Sequence, residues 1–92
     1  MPQSIKNKTK EGVEVEIIIS DNAIDAGFKI GSPTDLEMIL TDKNNDQYQA
    51  DVFLKLGWTN SDLQEIITAT IINCDTKVKS IKATVKGVIS AN

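Results

Sequence analysis

Apolar and polar residues alternate with a period of two along most of this chain, the pattern of strands with one face buried. From Gly12 to Ser20 the inward set is Val13, Val15, Ile17 and Ile19, with Glu14 and Glu16 facing out. Asp21-Asn22 ends that strand. Phe28–Ile30, held between Gly27 and Gly31, reads as a short strand or irregular edge, and Ser32-Pro33 turns the chain. Leu36–Thr41 and Tyr48–Leu56 then alternate on either side of Asp42-Lys43-Asn44-Asn45-Asp46. Asn and Asp tolerate left-handed backbone and bond to nearby amides, so this is predicted to be an antiparallel hairpin. The last strand, Lys77–Ile89, places Ile81, Ala83, Val85 and Ile89 inward and Lys82, Thr84 and Lys86 outward. Its lysines suit the glutamates of the first strand, so the two are expected to pair.

Two periods compete over Leu63–Cys74. Leu63, Ile66, Ile67, Thr70, Ile71 and Cys74 share one helical face, and Asp62 with Glu65 has the look of a capping box. Against a helix stands the almost wholly β-branched run Ile66–Ile72, in which each side chain gives up rotamer freedom on a helix. Ile, Val and Thr number 27 in the whole chain against 11 Leu and Ala, and this tips the segment to strand. The expected fold is therefore all-β: a small antiparallel sandwich or bent sheet of about five to seven strands. The alternative is an α+β domain with a helix over 62–74. Residues 1–10, with three lysines and no clear period, are expected to be a flexible lead-in to a single β-rich domain spanning 11–92.

Composition narrows the chemistry. Ten lysines supply all the basic charge, histidine and arginine are absent, and there is one cysteine, so the usual catalytic bases, phosphate clamps and Cys-His nucleophiles are missing. No enzyme and no cofactor is expected. A net charge of −3 argues against nucleic acid, which calls for a basic excess on one face. The longest apolar runs, such as Ile17–Ile19, fall far short of the roughly 20 residues of a membrane span. The absence of a signal-like start and the lone Cys74 point to the cytoplasm, although the same features suit the mature part of a secreted protein.

Three features could still bind something. Asp42, Asn44 and Asp46 hold the first, third and fifth positions of a calcium loop, but Gln47 stands where its glycine belongs and Phe53 where its closing glutamate belongs. No metal is expected. Trp58 sits beside Asn60 and Asp62 in a polar loop, an arrangement that can stack on a sugar ring and bond its hydroxyls. The competing role for Trp58 is core filler, continuing the parity of Val52, Leu54 and Leu56. Ile18, Ile39 and Phe53 are large apolar residues at the outward parity of their strands. Gathered on one exposed face they would form an interface. A domain of 92 residues gains from burial against another chain, so the leading expectation is a non-enzymatic protein-interaction or self-assembly module, a subunit of a larger assembly whose partner is itself or another protein. The alternative is a carbohydrate or small-ligand binding domain using the Trp58 loop.

Overall fold

The structure, a computed structural model, describes residues 2–87. Five strands form one mixed sheet: β1 (Gln3–Lys8), β2 (Glu14–Ile19), β3 (Thr34–Asp42), β4 (Gln47–Leu54) and β5 (Val78–Val85), ordered β1-β2-β5-β3-β4. A one-turn helix α1 (Asp21–Asp25) follows β2, and α2 (Asn60–Asn73) connects β4 to β5. The fold is sheet-dominated, and its described residues form one sheet with a helix laid on it rather than two sheets face to face.

The predicted hairpin forms, but its second strand ends at Leu54, and Leu56, expected to continue the inward parity, is 81% exposed beyond it. β3 and β4 are antiparallel, with Leu36 opposite Val52 and Met38 opposite Ala50. The pairing of the first long strand with the last also forms, and it is parallel: Val15 aligns with Ile81 and Glu16 with Lys82. Parallel neighbours need a crossover rather than a tight turn. Here α2 carries the chain over β3, so β4 and β5 flank β3 and both run antiparallel to it.

The segment 63–74, expected as strand, is helical through Asn73, with Cys74 as its extended C-cap. Thr59 is the N-cap, accepting the Asp62 amide on Oγ1 at 3.1 Å, while the Asp62 carboxylate accepts the Thr59 amide at 2.9 Å. This reciprocal capping box satisfies two otherwise orphaned donors, and it uses Thr59 and Asp62 rather than Asp62 and Glu65. The β-branched run costs less than about 0.7 kcal/mol per residue on a helix relative to alanine, whereas burying one Leu or Ile side chain is worth about 1.5–3 kcal/mol. Leu63 and Ile67 are buried against the sheet, with Ile66, Ile71 and Cys74 around them, so tertiary burial overrides local preference.

That helix-covered face holds the core: Val15 of β2; Ile81, Ala83 and Val85 of β5; Leu36, Met38 and Leu40 of β3; and Leu54 of β4. Cover fades toward β1, where all six residues are exposed, and Ile17 and Ile19 of β2 are only half-buried. β1 is itself a correction, since a lead-in was expected over residues 1–10. An edge strand wet on both faces carries no apolar alternation to betray it. Phe28–Ile30 is not a strand either: the Phe28 amide caps back to Ala23 O at 2.9 Å, and its ring turns inward. Ile89, expected inward, lies outside the described residues.

Candidate functional site

The loop after β4 brings Trp58 into the interior. Its ring is 7% exposed, its Nε1 donates to Ser32 O at 2.6 Å, and Phe28 stacks on it with centroids 6.0 Å apart. The indole's one donor is therefore occupied and its flat surface shared with another aromatic side chain. Asn60 opens α2 as an exposed residue, and the Asp62 carboxylate is engaged in the capping box. A shallow depression of about 370 Å³ lies nearby between Phe53, Leu56, Trp58, Asp62, Glu65 and Ile66. The three sugar-site candidates are thus neighbours in space, but they serve core, helix start and cap.

Asp42, first residue of the imperfect calcium loop, is a buried hub at a bulge that ends β3. Oδ1 accepts the amides of Asn44 at 2.8 Å and Asp46 at 3.0 Å, while Oδ2 accepts Thr76 Oγ1 at 2.9 Å and Tyr48 Oη at 3.2 Å. Burial pushes this carboxyl up, but the four hydrogen bonds together outweigh that and hold it below its ordinary value. Asn45 takes the left-handed conformation the turn requires, at φ 66°. The carboxylate thus folds its own turn and ties it to the segment leading into β5. Its lone pairs point at the protein, and among the described residues no group of three or more acidic or sulfur ligands converges on a cation position.

The opposite face of the sheet is the larger surface. Register places its side chains in rows running across the strands. One row is Lys8, Glu14, Ser80, Thr41 and Gln47; the next is Lys6, Glu16, Lys82, Ile39 and Gln49; a third is Ser4, Ile18, Thr84, Glu37 and Asp51. Phe53 pairs with Asp35 beyond them. No described helix or strand covers this face. Lysines and glutamates alternate on its β1 side, where a trough of about 900 Å³ runs between Lys6, Lys8, Glu14, Glu16, Ile39 and Lys82. Its β4 side is acidic. Glu37 and Asp51 are direct cross-strand partners, a repulsive pair relieved by Gln49 Nε2, 3.4 Å from Glu37 and 3.1 Å from Asp51, and by Lys86 Nζ at 3.6 Å from Glu37.

Ile18, Ile39 and Phe53 all project from this face, as their parity implies. Phe53 is 53% exposed, while Ile18 and Ile39 are half-buried among their neighbours. They share the face without touching. At ordinary strand spacings Ile39 lies about 12 Å from Ile18 and about 14 Å from Phe53. Lys82, Thr84 and Glu37 stand between them.

No protein-family model, curated protein or solved structure matches this chain.

The surface must therefore be judged on its own chemistry. It offers ion-pairing and hydrogen-bonding groups around isolated apolar side chains, on rigid strands. Sequence reasoning missed the contribution of β1, whose Lys6 and Lys8 form one wall of the trough. No apolar period signalled it, because Ile5 is the single apolar residue among Gln3, Ser4, Lys6, Asn7 and Lys8. No helix among the described residues is long and apolar enough to cross a membrane.

Proposed function

We propose that this chain is a small non-enzymatic interaction module that binds protein, a further copy of itself or a different chain, through the open face of its sheet, as a subunit of a larger assembly. The observation that carries this reading is the uncovered sheet face, which presents Ile18, Ile39 and Phe53 within a field of lysines and carboxylates. An apolar side chain ringed by charges is the anatomy of an interface in which a few residues provide burial and the rest provide register and specificity. The composition supports the non-enzymatic part, because neither histidine nor arginine is present to move protons or clamp phosphates.

Sedimentation of the wild type, Phe53→Lys and Ile39→Lys, alone and with any co-purifying chain, tests the proposal. Both variants are expected to stay folded, since neither residue belongs to the helix-covered core, and to lose associated mass. An associated wild type whose mass neither substitution changes would overturn the assignment to this face.

A further inference from the structure

We infer that copies of this chain join head to tail, the β4 edge of one pairing antiparallel with the β1 edge of the next, so that one sheet continues from subunit to subunit. This rests on the self-assembly form of the reading above and adds its partner surface and geometry. Strand direction is the first support. β1 is antiparallel to β2, β2 parallel to β5, and β5 and β4 both antiparallel to β3, so the two edge strands run in opposite directions. Two copies set side by side in the same orientation therefore meet as an antiparallel pair without either being turned over. Exposed apolar side chains are the second support. Of the large hydrophobic residues exposed among the described residues, Ile5 lies on β1 and Tyr48 and Phe53 lie on β4, while none lies on β2, β5 or β3. Charge is the third. On the open face β1 presents Lys6 and Lys8, and β4 presents Asp51 beside Glu37.

One register meets the direction and charge requirements and brings Ile5 and Phe53 into the contact, with Tyr48 falling just beyond the end of β1. Setting Lys6 against Asp51 of the next copy sets Ile5 against Val52 on the helix-covered face and Ser4 against Phe53 on the open face, and it pairs all six residues of β1. Pairing β1 with another β1 instead brings lysines together, the arrangement by which edge lysines usually keep sheets apart. The lysines thus reject a like edge and accept the acidic one. Because the two edges differ, the contact is heterologous and propagates into a ring or filament instead of stopping at a dimer.

Charge reversal tests this directly. Lys6→Glu and Asp51→Lys should each weaken self-association about tenfold, and the double variant, or an equal mixture of the two single variants, should restore it. Sedimentation of the wild type should show species beyond a dimer that grow with concentration. In a Cys74→Ser background, separately purified Lys6→Cys and Asp51→Cys chains should form a mixed disulfide when combined and oxidised. A wild type that stays monomeric at millimolar concentration, a failure of the double variant to recover, or a Lys6→Cys chain that links only to itself overturns the inference. Ile39→Lys separates the two proposals, since β3 takes no part in an edge contact. Loss of association in Ile39→Lys with no response to the charge reversals leaves the open-face reading standing and removes the edge pairing, and the converse result does the reverse.

Discussion

Ile67→Ala probes the element where tertiary structure overrode local preference. Ile67 is 2% exposed and sits on the α2 face against the sheet. Alanine removes three methyl or methylene groups, worth about 2–3 kcal/mol at ~0.8 kcal/mol each, and the incompletely collapsed cavity brings the expected loss to about 2–5 kcal/mol. A domain of this size is stable by about 5–14 kcal/mol, so the loss is a large share of the whole. With a urea m-value of about 1–3 kcal/mol/M, a loss of ~3 kcal/mol lowers the unfolding midpoint by about 1–3 M. Urea titration followed by the fluorescence of the buried Trp58 measures it. Ala69→Lys supplies the discriminating partner. On a strand Ala69 would share the face of Ile67 and Ile71, and a lysine there would be buried. On the observed helix Ala69 is exposed, and the change should stay within about 0.5 kcal/mol. If Ala69→Lys proves as damaging as Ile67→Ala, the helix and the packing argument built on it are wrong.

Asp42→Asn should be less stable than the wild type at pH 7 but flatter in its acid response. A carboxyl held below its ordinary pKa stabilises the fold above the unfolded value, about 3.9, and loses that contribution as pH falls through the folded value, so thermal melts of the two proteins should converge in strong acid. Gly87→Ala should cost about 1–3 kcal/mol by chemical denaturation, because its φ is +104° and a Cβ would stand 3.1 Å from Ala23 Cα, whereas Gly12→Ala, at φ +88° with open space around it, should cost less. Ile72→Lys should stabilise the protein by about 0.3–1 kcal/mol in the same assay, since Ile72 is 72% exposed in the last turn of α2, which carries no basic residue to meet the helix dipole. A destabilised Ile72→Lys would place that residue inside the fold.

Local pattern was sufficient wherever one strand face is wet and the other dry. The period of two in β2, β3, β4 and β5 is written by that contrast, and Asp42–Asp46 carries its own turn chemistry, so the hairpin, the inward residues Leu36, Met38, Ile81 and Val85, and the open-face parity of Ile18, Ile39 and Phe53 were legible without coordinates. β1 was not, because an edge strand exposed on both faces leaves no such contrast. Nor was α2. Its β-branched sequence favours strand by tenths of a kilocalorie per residue, and only the apolar sheet face waiting to be covered, together with the Thr59–Asp62 cap, makes the helix the better solution. Strand order likewise belongs to the whole molecule: the crossover that puts β5 between β2 and β3 aligns Glu16 with Lys82 and leaves a basic edge on one side of the sheet and an acidic edge on the other. Periodicity records how each residue meets water, whereas which strands become neighbours is set by contacts between residues far apart in the chain.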